Sequence, residues 1–494
     1  MEFIDYVAIL MLVVSAYIYI SAAKFDTSIS LDTFFYDSHN TKSKRYGASM
    51  AAASTSLATV VIFFITGVEQ YGIFLFWCGL TYFVGQYGLL IIIKKSNIET
   101  KNLTTLADFW SEFSSCKQSS KVIAYLSATA FVFILFLELF IGSQILTFYL
   151  DEPSKLTSYL CFISLLLVVS IYIFKGGMHA VIKSDLWQYI MMLLSIVILF
   201  ISSIIYTIET PSPLNFNFEL LGAKDNIELT FFLIWVTIQN LTLPFTQLSS
   251  WQRLASTKSV DTAFLGLKEI SIGFILLWFL PVVSMLIFKA NSIYFSGIVE
   301  FFNFLRTSNI LLVYLSYAII FVGFSSALFS TADSALMAIA LSLTDRSTFK
   351  NYIVNKSQGQ YKSYFFGFIV ILLIVETLLF ILFSAQADSE FLSIVYVIFS
   401  QLSLIAPHIG YALYCKTKKI NNITLESTQD LILSIGLLFS WILLFYFNFF
   451  GVDFGLNRNL SIIIGSLIGL FTSGFSLMIT IFIKNFKQKE IKEF

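Results

Sequence analysis

Charge, histidine and cysteine are all scarce in this chain of 494 residues. Charged residues make up 12% of it against 57% hydrophobic, with a mean hydropathy of +0.83, a balance too apolar for a soluble domain of any class. Three histidines leave too few imidazoles for most His-based metal or catalytic clusters. The four cysteines, Cys78, Cys116, Cys161 and Cys415, show neither C-x-x-C nor metal spacing, so neither redox chemistry nor zinc is indicated. Lys+Arg and Asp+Glu balance at 30 each, and no basic block points to nucleic acid. No P-loop, nucleotide fold or nucleophile elbow is visible, which argues against an enzyme or a primary pump.

What the chain does have is apolar runs of membrane length. Windows of about 20 residues give thirteen expected spans, at 3–23, 47–67, 71–93, 122–149, 156–174, 185–208, 229–250, 264–288, 309–343, 363–385, 389–414, 429–450 and 459–483. An odd number puts the termini on opposite sides. The first run resembles a secretory signal in its Ser21-Ala22-Ala23, but it opens on Glu2 and Asp5 with no cation, so it reads as a retained helix starting outside. With that orientation only Lys155, Lys224, Lys289, Arg306 and Arg458 fall outside, leaving 25 of 30 cations inside, as short cytoplasmic loops require. A plasma or inner cell membrane is the expected location.

One run carries more than hydrophobicity. In Phe321–Arg346, Ala327, Ser330, Thr331 and Ser334 fall at i, i+3, i+4 and i+7, one face of a helix, and Asp333 adds a carboxylate to the same turn. The plain alternative is that each hydroxyl bonds back to its own helix. The cluster of three hydroxyls, an acid and the small residues Gly323 and Ala327 favours an ion site.

Two other runs predict discontinuous helices. The second span, YGASMAAASTSLATVVIFFITG, is rich in Ala, Ser and Thr before it turns β-branched and aromatic. The seventh carries Pro244 at its centre, where the missing amide and the ring break the ladder. Interruptions five spans apart predict an inverted five-plus-five repeat with a mid-membrane site between its halves.

Four stretches resemble the sodium:solute symporter family. Tyr172–Met192, YIFKGGMHAVIKSDLWQYIMM, is similar to its Gly-Gly, Ala-Val, Asp and Gln signature through Gly176, Gly177, Ala180, Val181, Asp185 and Gln188. Lys183 and Ser184 stand where the family usually has an aromatic and a threonine. FSTADSALMAIALSLTDR resembles the family's Ser-Thr ion helix with its closing acid, here Asp345. SSWQRLASTKSVDTA is similar to the Gln-Arg, small-residue and Lys pattern, and TTLADFWSEF to a Thr-Leu, acid and Phe segment.

The resemblance implies an all-helical LeuT-like fold: an extra helix and loop over 1–46, repeats over 47–208 and 229–415, and two final helices and a tail over 416–494. It implies a co-transported sodium ion held by the carbonyls of Ala52, Thr55 and Ala327 and the hydroxyls of Ser330 and Thr331, with Asp333 in support. A hard monovalent cation wants such oxygen ligands. Asp185 matches a position that in some members helps hold a second sodium or shapes the inner exit path; the alternative is a helix cap at Ser184-Asp185. Thr59, Glu138, Asn240, Gln247 and Gln401 are the candidates for a small organic solute, and a sugar is not the first choice because Thr59 and Leu248 stand where sugar carriers tend to have Gln. The expected activity is sodium-coupled symport. Its rivals are proton coupling through Asp333 or Glu138 and, more remotely, a transport-fold sensor or channel.

Overall fold

The computed structural model describes residues 3–22, 31–103, 105–148, 154–210, 226–343, 360–383, 391–420, 422–450 and 458–493. Its helices are α1 (Phe3–Ala22), α2 (Leu31–Tyr36), α3 (Ser43–Ser54), α4 (Phe63–Tyr71), α5 (Phe76–Lys95), α6 (Leu106–Ser114), α7 (Gln118–Thr147), α8 (Lys155–Glu209), α9 (Asn226–Thr246), α10 (Leu248–Ala255), α11 (Val260–Ala290), α12 (Ile298–Arg306), α13 (Leu311–Leu343), α14 (Gln360–Phe383), α15 (Phe391–Ser403), α16 (Ala406–Thr417), α17 (Ser427–Phe450) and α18 (Arg458–Glu493). Among the described residues eleven helical stretches are long and apolar enough to cross a bilayer. The protein is a multi-pass membrane protein.

Two of those eleven stretches, Phe63–Lys95 and Lys155–Glu209, fold back on themselves. In the first, Gly72 takes φ 55° at the start of a 3-10 turn, Gly72–Leu75, and Phe64 and Tyr82 pack against the same Trp278 ring from either arm. In the second, Gly177 takes φ 53° and ψ −143°, a conformation open to glycine and strained for residues with a Cβ. A Cβ there would also lie 2.4 Å from the carbonyl oxygen of Phe34. Tyr172 before the turn and Asp185 after it reach the same stretch of α13.

This geometry overturns the helix-cap reading of Ser184-Asp185. Ser184 donates back to the carbonyls of Ala180 and Val181 at 3.0 and 2.9 Å, well inside the arm that starts at Gly177. Asp185 is therefore free of capping duty and faces inward, fully buried.

α13 is enclosed over much of its length, every residue from Phe321 to Ser342 being buried. Packing there is tight because small residues admit neighbouring backbones: a Cβ on Gly323 would come within 2.1 Å of the Ser195 side chain on α8. α3 and α11 meet through Gly47 and Gly266, each within 2.4 Å of backbone oxygen from the other side if given a Cβ.

Both expected interruptions are present, one of them displaced. α3 ends at Ser54, Thr55 and Ser56 leave the helix, and the chain resumes as a π turn, Leu57–Ile62, before α4. The seventh run breaks at Gln247 (φ −85°, ψ 104°), between α9 and α10, whereas Pro244 lies inside α9. The proline removes one amide from the ladder, and the helix ends two residues later, at Thr246.

Candidate functional site

The first break is built by side chains competing with the backbone. Ser54 and Thr55 hydroxyls both donate to the carbonyl of Ala51 at 2.9 Å, and the Thr55 amide turns back to Ala52 oxygen at 3.1 Å. Side chain-to-backbone bonds of this kind offer an alternative to the i to i+4 ladder. The Val61 amide then reaches Ser56 oxygen at 3.1 Å, the wide turn that marks many functional sites. Glu138 reaches across from α7 and receives the Ser56 hydroxyl and, at 3.1 Å, the Ala58 amide. Its Oε1 thus caps the second half of the broken helix. Its Oε2 is buried without a hydrogen-bond partner.

α13 faces this break. Ser54 and Ser56 line a cavity together with Thr331, Ser334 and Ala335. The hydroxyls of α13 divide into distinct roles. Ser325, Ser326 and Ser334 bond back to their own helix at 2.8, 2.8 and 2.6 Å, as the plain alternative expects. Ser330 instead donates to Asp185 Oδ1 at 2.6 Å, which leaves its lone pairs unspent. Thr331 Oγ1 is buried and has no partner at all. An orphaned buried hydroxyl is costly unless a ligand completes it.

Behind these residues lies a charge network. Asp185 Oδ2 accepts from the Ser49 hydroxyl and from Arg253 Nη2 at 2.9 Å. Arg253, 1% exposed on α10, also donates Nε to Ser49 at 2.8 Å, Nη2 to Ser334 at 2.7 Å and Nη1 to the carbonyl of Ser249 at 3.3 Å. Asp333 accepts from Tyr172 at 2.7 Å and from Ser334 at 3.2 Å. One guanidinium therefore ties α3, α8, α10 and α13 together.

That arrangement corrects one sequence expectation. Arg253 counts among the inner loop cations when hydropathy alone is read, yet it is a buried member of the site. The signal was its place directly after the broken helix, within an eight-residue amphipathic segment.

The cavity encloses about 80 Å³. Its wall is aromatic to an extent the sequence did not disclose: Phe63, Phe64, Tyr82, Trp235, Trp278 and Tyr396 converge from five helices. Tyr82 stacks on Trp278 with centroids 5.0 Å apart, and Trp235 meets Tyr396 edge to face at 4.9 Å.

Of the expected solute residues, Asn240 and Gln247 line the cavity. The Asn240 amide donates to Cys78 oxygen at 2.9 Å, and Gln247 accepts from Tyr82 at 3.2 Å. Gln401 lies fully buried and donates to the carbonyl of Leu126 at 2.8 Å, away from the cavity wall. Glu138 stands one layer behind the wall, through Ser56. The side chain of Thr59 and all of Asp345 lie outside the described residues.

Neither a family model nor a curated protein matches the sequence. Solved structures do. A sodium-coupled sialic acid symporter, in a substrate-bound outward-open state, aligns over 97% of this chain and 98% of its own with a TM-score of 0.62 at 15% identity. A manganese transporter from Eremococcus coleocola aligns over 89% of this chain and 94% of its own with a TM-score of 0.57 at 14% identity. At such identities the likeness is one of fold. The chain has the LeuT-like transporter fold, and these structural neighbours are membrane transporters.

Proposed function

We propose that the chain is a sodium-coupled symporter that imports a small organic solute by alternating access across a plasma or inner cell membrane. The observation that carries this reading is the unpartnered Thr331 hydroxyl, set beside Ser330 and lining the same cavity as Ser54 and Ser56 of the first helix break. The sodium ligands are the carbonyls of Ala52, Thr55 and Ala327 with the hydroxyls of Ser330 and Thr331. These are neutral oxygens, the donor type a hard cation prefers, and a break supplies backbone carbonyls without burying a charge. Asp333 supports the ion through the field behind Ser334. Asp185 positions Ser330 and balances Arg253.

Sodium closing the junction between the break and α13 raises affinity for solute in the adjoining cavity, and the coupling is reciprocal. The repeats over 47–208 and 229–415, with a thirteen-span path from an outer N-terminus to an inner C-terminus, supply the rocking halves. One sodium crossing about 100 mV yields roughly 2.3 kcal/mol, and a tenfold gradient adds about 1.4 kcal/mol. Together they sustain a solute gradient of a few hundredfold.

Proton coupling is the second reading, favoured by Glu138 Oε2, a buried carboxyl oxygen with no partner. The test is the thermal midpoint of purified protein in sodium against potassium at equal ionic strength and at two pH values. A ligand of the folded state raises the midpoint. A sodium-specific rise absent from Thr331→Val supports sodium coupling. Identical midpoints in both salts, with solute binding that follows pH, support the proton.

A further inference from the structure

The cavity wall contains no Asp, Glu, Lys, Arg or His among the described residues. Both groups that would ordinarily receive an anionic solute are spent. All three nitrogens of the Arg253 guanidinium are engaged by Ser49, Ser249, Ser334 and Asp185. The half-helix that opens at Leu57, whose amides would otherwise greet a carboxylate, is already capped by Glu138 through the Ala58 amide.

Behind the wall the guanidinium of Arg253 is paired with Asp185, so it does not set itself against a positive charge in the cavity. The wall is suited to such a charge: Phe63, Phe64, Tyr82, Trp235, Trp278 and Tyr396 line the cavity, and the negative quadrupole of an aromatic ring attracts a cation most strongly where water is excluded.

We propose that the transported solute is a small organic cation of the substituted-ammonium class, held by ring faces rather than by an ion pair. This rests on the preceding reading that the cavity is the solute site. The amide edges of Asn240 and Gln247 then orient a polar substituent on the cation.

The test measures binding to full-length protein in sodium and in potassium, by thermal midpoint and by displacement of radiolabelled choline. The probes are choline, its uncharged isostere 3,3-dimethylbutanol, its carboxylate analogue betaine, and N-acetylneuraminate. The expected result is sodium-dependent binding of choline at least tenfold tighter than of the other three. Trp235→Leu and Tyr396→Leu each weaken it tenfold or more, while Trp235→Phe and Tyr396→Phe keep most of it. Equal binding of dimethylbutanol, or tighter binding of either carboxylate, overturns the class. If sodium stabilises the protein and choline does not bind, the cation assignment alone falls. If sodium and choline are both silent, the sodium-coupled reading falls and the cation class falls with it.

Discussion

The cavity lies between two interrupted helices that break in opposite ways. The first break, at Thr55-Ser56, is made by hydroxyls that draw hydrogen bonds away from the ladder, and Glu138 caps its far half. The second, at Gln247, follows a proline, and its far half delivers Arg253 into a network that is already neutralised. One break faces an orphaned threonine hydroxyl; the other carries a fixed cation whose partners are complete. An ion that comes and goes needs the first kind of site. A charge pair whose members satisfy each other holds the scaffold together, and removing either member exposes a buried charge.

The largest effect that would test this contrast is at the second break. Arg253→Met strands Asp185 in the interior and should destabilise by about 3–5 kcal/mol, read as loss of folded yield or a large fall in thermal midpoint. Asp185→Asn combined with Arg253→Met should recover much of that loss, because neither charge is then left alone. Full stability of the single variant would show that the pair is dispensable.

At the first break the expected loss is smaller. Glu138→Ala leaves the Ser56 hydroxyl and the Ala58 amide without their acceptor and should cost about 1–3 kcal/mol. Glu138→Gln keeps an acceptor carbonyl and should cost less, so the order of the two midpoints checks the capping role.

Thr331→Val should barely change stability in potassium, since it removes a hydroxyl that has no partner and replacing an unsatisfied polar group by an isosteric apolar one is close to neutral. The same substitution should abolish the sodium-dependent rise. The smallest effect is that of Pro244→Ala: α9 is helical on both sides of the residue, so the midpoint should move by no more than a few degrees and the break at Gln247 should persist.

The sequence disclosed the first break more fully than the second. Apolar runs marked the spans, and hydroxyl spacing on α13 marked Ser330, Thr331 and Ser334 together, because both signals are local and periodic; the resemblance to the sodium:solute symporters is what implied the first two as ligands. Arg253 escaped because a hydropathy window averages a single cation into the adjacent loop; only a three-dimensional network reveals that it is 1% exposed. Asp185 was open to a capping role because a helix start at Ser184 is locally plausible, while the actual start depends on the turn at Gly177 and the close approach of Phe34. The aromatic wall was hidden for a different reason. Its rings come from positions as far apart as Phe63 and Tyr396, and in a chain that is 17% aromatic no local pattern distinguishes them.

The central claim is that a sodium ion completes Thr331 at the first break. Equilibrium binding of radioactive sodium to purified wild-type, Thr331→Val and Glu138→Gln proteins, with potassium holding ionic strength, tests it most directly. The account predicts saturable binding to the wild type, loss of that binding in Thr331→Val without loss of fold, and retained or modestly weakened binding in Glu138→Gln. Undiminished sodium binding by Thr331→Val, or no saturable binding by the wild type, would contradict it.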